Sequence, residues 1–203
     1  MIKSVQVRFL TGGSGSLLRV ISGKLRGKRL FSVKGLSLRP TSDRVREAIF
    51  DILQGQIAER KVLDLFAGTG ALGIEALSRG ASSAVFVENS PKSLSALQRN
   101  LAECRLQEFS SILNKEVMDG IRFLEGRGVI FDLIFLDPPY GKGLTRKTLE
   151  ALAQSPVVTP ETQMVAEHSP DENLDKMPYL EMTDQRKYGG TGVSFFRQKF
   201  EGV

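Results

Sequence analysis

Asp137-Pro138-Pro139-Tyr140 is the stretch of this 203-residue chain best equipped for chemistry. Two consecutive prolines fix φ near about −65° and remove two backbone donors, while their carbonyls remain acceptors. Asp137 adds a side-chain acceptor and Tyr140 an aromatic face. Such a set suits an exocyclic amine on a nucleobase. The lone pair of that nitrogen is delocalised into the ring, so it is a weak nucleophile. The Asp137 carboxylate and the Pro138 carbonyl can take its two hydrogens, aim the lone pair at an electrophile and stabilise positive charge growing on nitrogen. The base must leave its stack to get there, and Tyr140 can stack on it. Positioning then matters more than a strong base. The plainer reading is a turn that buries an acid after a strand.

A second constellation supplies the electrophile. Asp64-Leu-Phe66-Ala67-Gly68-Thr69-Gly70-Ala-Leu-Gly73 holds a G-x-G-x-x-G between an apolar run and a helical one. Its glycines permit a tight turn and a close backbone approach to a ligand. Glu88 lies 18 residues beyond Gly70, at the end of the next apolar run and beside Asn89. An acid there can accept both hydroxyls of a ribose. Dinucleotide-dependent oxidoreductases use the same glycines. Two details favour S-adenosylmethionine instead: Asp64 four residues before the first glycine, and the Phe66-Ala67 insertion that widens the loop. Asp119, followed by Gly120, is a third contact, for an adenine amino group, and doubles as a helix N-cap.

Strands and helices must alternate to hold these residues together. The spacing predicts strands at 62–66, 83–88, 111–114, 131–136 and 163–168. It predicts helices at 71–78, 91–104, 120–125 and 145–153. That order implies βαβ units and a parallel sheet. A hairpin follows, 179–188 and 193–199 around Gly189-Gly-Thr-Gly192. Ahead of the first strand, 18–21 and 29–31 read as a small hairpin, 36–40 as extended, and a helix capped by Thr41 or Ser42 carries Val45, Ile49, Ile52 and Leu53 on one face. The expected organisation is a flexible leader at 1–17 with a Thr-Gly-Gly-Ser-Gly-Ser linker, a basic hairpin and helix at 18–56, and a cofactor-binding catalytic domain at 57–203.

Charge separates the same units. The net formal charge is +5, yet residues 18–46 carry nine basic side chains against Asp43 alone, whereas residues 47–203 carry 17 basic against 22 acidic. A basic front on a mildly acidic globule suits a polyanion. Lys24, Arg26, Lys28 and Arg29 sit on a glycine-rich turn, and Arg39, Arg44 and Arg46 flank the helix start. Basic residues there oppose the helix dipole, a small cost that points to another purpose. These seven are the candidate nucleic-acid contacts; Lys142 and Arg146 extend the surface or merely solvate a helix. One cysteine excludes an internal disulfide, and one His with one Cys argues against a structural zinc site. No metal is expected. No apolar run approaches the ~20 residues of a membrane span, and no secretory signal is legible.

The loop at 64–73, Glu88, Asp119 and 137–140, in this order, resemble class I methyltransferases acting on amino groups. The runs 18–30 and 38–53, with Lys187-Tyr-Gly-Gly190, narrow the resemblance to the RsmD family over residues 18–198. That resemblance implies a Rossmann-like α/β fold: a seven-stranded, mostly parallel sheet with an antiparallel last strand, plus the basic N-terminal extension. It implies S-adenosylmethionine as cofactor, S-adenosylhomocysteine as product, and methylation at N2 of one guanine in small-subunit (16S) rRNA. The expected setting is a bacterial cytoplasm or an organelle, with a monomer acting on rRNA, naked or within an assembling 30S particle, and no membrane. Two alternatives stay open: a DNA amino-methyltransferase, for which the chain has little room for target recognition, and an inactive RNA-binding ribosome assembly factor.

Overall fold

A computed structural model describes residues 18–33 and 43–199. The leader, the extended run at 36–40, the Thr41/Ser42 cap and Arg39 lie outside the described residues. The helix α1, Asp43–Ile52, precedes the alternating core: β1 Lys61–Leu65, α2 Ala71–Ser78, β2 Ser83–Glu88, α3 Pro91–Glu103, β3 Ser110–Asn114, α4 Val117–Glu125, β4 Leu133–Leu136, α5 Leu144–Ala153 and β5 Gln163–His168. The hairpin β6 Leu180–Tyr188 and β7 Thr191–Gln198 closes the described chain.

Seven strands form one sheet in the order β3-β2-β1-β4-β5-β7-β6. The first five are parallel, and β7 runs antiparallel to both neighbours. Chain order reverses between β1 and β4. Loops leaving the carboxyl ends of these two strands therefore diverge and open a crevice, the ordinary ligand site of such sheets. Strand alternation sorts the core into two layers. Val62, Ala84, Phe86, Leu133 and Phe135 face a cluster with α2, α3 and α1 residues such as Ile49 and Phe50. Leu63, Leu65, Val87, Ile134 and Leu136 face α4 and α5 on the other side. These strands read as continuous apolar runs because both faces are covered.

The segment before β1 shares the first layer, with Leu18, Val20 and Leu30 buried in the same cluster. The expected hairpin shrinks to one antiparallel bridge, Arg19–Arg29, around a 3₁₀ turn at Gly23–Leu25. Val20 N donates to Lys28 O, Gly27 N to Val20 O and Leu30 N to Leu18 O, so the two arms do pair. The turn also bonds to α2. Glu75 accepts from Ile21 N at 2.7 Å and Ser22 N at 2.9 Å; Ser78 Oγ accepts from Leu25 N and donates to Ser22 O. A Cβ on Gly23 would fall 2.0 Å from the Ser78 carbonyl oxygen, so only glycine fits this contact. This docking explains why α2 is buried from Leu72 to Ser78, on all its faces.

Two local expectations need correction. The helix α4 starts at Val117 rather than at Gly120, with Glu116 as an N-cap whose side chain makes no capping bond. Asp119 is therefore a first-turn residue, not a cap. Arg46 is not a surface residue. It is 0% exposed, and its Nη2 donates to Arg19 O at 2.5 Å and to Asp43 at 2.9 Å. Burial lowers its pKa, while Glu75 and Asp43 pull it back up.

Candidate functional site

The chain leaving β1 turns sharply. Phe66 has φ of 59°, Gly68 54° and Gly70 82°, so three of five residues occupy the left-handed region. For Phe66 that conformation is a strained one, of the kind stored at ligand sites. Ala67 N donates to Val87 O at 3.0 Å, pinning the loop to β2. Beneath it, Asp64 accepts from Gly73 N at 2.9 Å. Asp64 is 2% exposed. Burial, with a lesser push from Glu88, drives its pKa up to about 8, and the Gly73 hydrogen bond opposes this.

The three motif glycines divide the work. Gly68 lines the cleft beside Phe66. A Cβ on Gly70 would lie 2.4 Å from Leu97 Cδ1, and one on Gly73 would lie 2.4 Å from the Phe86 ring. Gly70 therefore serves the approach of the loop to α3, and Gly73 that of α2 to the sheet. Thr69 is buried, and its carbonyl accepts from Asn100 Nδ2 at 2.9 Å. Asn100 also clasps the backbone of Phe31, N–H and carbonyl both. One buried amide thus ties the basic segment to the glycine loop.

Glu88 ends β2. Its Oε2 accepts from Gly68 N at 2.7 Å, and its Oε1 accepts from Asn89 N and Ser90 N at 2.9 and 2.7 Å. A carboxylate has about four acceptor sites, so Oε2 retains one. The Asn89 amide donates to Glu116. Opposite, β4 leads into Asp137, Pro138, Pro139 and Tyr140. The Tyr140 hydroxyl donates to Glu167 at 3.2 Å and lies 3.4 Å from the Thr191 hydroxyl. Burial above all pushes its pKa up to about 12, with Glu167 and Asp137 adding and Thr191 opposing.

These residues share one cleft of about 750 Å³. It brings together Phe66, Gly68, Glu88, Asn89 and all of 137–140. Asp64, Ala67, Thr69, Gly70, Gly73, Asp119 and Gly120 lie outside its lining. The first five shape the loop from behind. Asp119 is exposed and ion-paired to Arg122 at 2.8 Å, because α4 begins earlier than the composition indicates. Gly120 is buried against Val87, where a Cβ would lie 2.7 Å from Cγ1. Sequence reasoning missed Ser90, Ser93, Lys115, Glu116, Val117, Leu144 and Glu167 on the wall. Glu167 is reached only through the sheet: it follows Ala166, which pairs with Leu136, the residue before Asp137.

Of the candidate nucleic-acid contacts, Lys24, Arg26, Arg29 and Arg44 are exposed. Lys28 is partly exposed and pairs with Glu103 at 3.6 Å. Arg46 is excluded by its burial.

The cleft fits a cationic nucleoside. Glu88, Glu116, Asp137 and Glu167 on its wall outnumber Lys115 and Lys142. That balance favours a sulfonium and an ammonium group, and a ribose can reach Glu88.

The chain also resembles known proteins. The chain is 34% identical to a "Putative rRNA methyltransferase YlbH" of Bacillus subtilis, over 90% of its own length and all of the relative's. It is 36% identical to "Ribosomal RNA small subunit methyltransferase D" of Escherichia coli, covering 82% of this chain and 81% of that one. Among solved structures, a putative methyltransferase from Escherichia coli superposes with a TM-score of 0.79 at 31% identity, over 91% of this chain and 99% of that one. A Streptococcus mutans protein described as a putative methyltransferase complexed with SAH shares the fold, with a TM-score of 0.62 at 15% identity over 76% of this chain and 48% of that one. The family described as conserved hypothetical protein 95 matches residues 18–197, so the chain belongs to that family, the RsmD family.

Proposed function

We propose that this protein transfers a methyl group from S-adenosylmethionine to the exocyclic N2 amine of a guanine in small-subunit rRNA. The observation that carries this is the meeting of Asp137-Pro138-Pro139-Tyr140 with Gly68 and Glu88 in one cleft. When bound, the cofactor supplies an electrophilic methyl group on a sulfonium. Glu88 holds its ribose, the backbone around Phe66 and Gly68 flanks its amino-acid end, and Val117 and Glu116 wall its base. Asp64 acts through the loop, by fixing Gly73 N.

The chemistry then falls to the β4 end. Asp137 and the Pro138 carbonyl accept the two amine hydrogens and leave the nitrogen lone pair directed into the cleft. Positive charge growing on nitrogen is stabilised by the same two acceptors. The extra proton on nitrogen is acidic, and Asp137 or water takes it. Tyr140 stays protonated at neutral pH and stacks on the flipped base. Lys24, Arg26, Arg29 and Arg44 hold the RNA backbone, acting in a monomer.

The test offers radiolabelled S-adenosylmethionine with unmethylated small-subunit rRNA, with partly assembled small subunits and with duplex DNA. Transfer to rRNA or particle and not to DNA, lost in Asp137→Ala, is expected. Transfer to DNA alone, or none to any substrate, contradicts it.

A further inference from the structure

Glu167 is a buried carboxylate on the cleft wall to which the methyl-transfer step gives no task. It is 3% exposed. It follows Ala166 in β5, and Asp137 follows Leu136 just past the end of β4; Ala166 and Leu136 are register partners, so the two carboxylates leave the same step of the sheet. Adjacent strands lie about 4.8 Å apart. Both residues line the cleft. The Tyr140 hydroxyl donates to Glu167 Oε1, which fixes the carboxylate beside the loop that takes the amine.

Two acceptors side by side call for two adjacent donors. The bases with exocyclic amines differ at the ring nitrogen next to the amine. In guanine that nitrogen, N1, carries a hydrogen. In adenine and cytosine the corresponding nitrogen is a bare acceptor. A carboxylate facing this position accepts from guanine and repels the other two. Burial sharpens the choice, because a buried polar group left without its partner costs far more than the bond is worth in water.

We propose that Glu167 reads the N1–H of the flipped base and so selects guanine at the site where Asp137 and Pro138 hold the amine. The proposal rests on the methyl-transfer reading above and adds the residue that sets its base specificity.

The test uses 2-aminopurine, which keeps the N2 amine but has an unprotonated N1. The methylated guanine is first mapped by primer extension on rRNA treated with the full-length protein. A ligated small-subunit rRNA then carries either guanine or 2-aminopurine at that position. The wild type is expected to prefer guanine about 10- to 100-fold in kcat/KM, the scale of one specific base contact. In Glu167→Gln the side chain keeps its shape and its acceptor for Tyr140, while its amide can donate to a bare N1. The preference should fall to about one or invert. A second readout needs no methyl transfer: 2-aminopurine fluorescence, which rises as the base unstacks, should rise further with Glu167→Gln than with wild type. If the variant slows both substrates equally, Glu167 only supports Tyr140 and the proposal fails while the methylation reading stands. If wild type methylates no guanine in rRNA, that reading fails and this one with it.

Discussion

Glu75 and Asp64 perform similar tasks in two parts of the molecule, in opposite surroundings. Each is buried in the layer beneath a loop and accepts from backbone N–H groups. Glu75 holds Ile21 and Ser22 and also takes Arg79 Nε at 2.8 Å, with Arg46 buried nearby. Asp64 holds Gly73 N, and its charge is opposed by burial and by Glu88, so its pKa rises to about 8. The basic segment is therefore fastened by a compensated charge. The glycine loop rests on an acid that holds its proton more tightly than an ordinary carboxyl. Compensation keeps Glu75 paired; burial without it leaves Asp64 sensitive to pH.

Removing a buried partner breaks the first arrangement most severely. Glu75→Ala strands Arg79 and two backbone donors, and breaking such a pair costs about 3–5 kcal/mol. Urea unfolding should show this loss, with faster proteolysis within 18–33. A cost below about 1 kcal/mol would mean that Glu75 does not fasten the segment.

Asp64 gives a pH signature. Its folded pKa of about 8 lies above the ordinary carboxyl value of 3.8. Between those two values the folded chain binds more protons than the unfolded one, so this group makes stability fall as pH rises from about 4 to 8. Asp64→Asn should flatten that contribution, read as urea midpoints at pH 5 and pH 8.5. An equal slope in both proteins would contradict it.

The smallest effect on stability belongs to the exposed cations. Lys24, Arg26 and Arg29 changed together to Ala should leave unfolding within about 0.5 kcal/mol per site. Yet they should weaken rRNA binding and lower its salt slope by up to about three. An unchanged slope would remove the segment from the RNA interface.

Much of this was legible in the chain. Alternating apolar runs located every strand of the sheet, and the glycines marked the crevice. The helix at Ala71–Ser78 and the strands at Ser83–Glu88 and Gln163–His168 match their expected bounds. What escaped depends on contacts between distant segments. Arg46 and Arg44 look equivalent in sequence, yet Arg46 faces the Arg19 carbonyl and is buried while Arg44 faces solvent. Asp119 has the composition of a cap, but the Glu116 start places it on the outer turn. Glu167 becomes a site residue only once β5 is known to lie beside β4. The small basic hairpin is legible, but its docking on α2, through Glu75 and Ser78, has no local signature.

The central claim is that Asp137 holds the acceptor amine and has no part in holding the cofactor. Asp137→Ala tests it directly, by equilibrium binding of S-adenosylmethionine and single-turnover methylation of rRNA in the same preparation. The expected result is an affinity within about threefold of wild type and a transfer rate lower by about 10²–10³, the scale of losing one preorganised group at a developing charge. A transfer rate equal to that of the wild type, or a rate loss fully explained by lost cofactor binding, would contradict it.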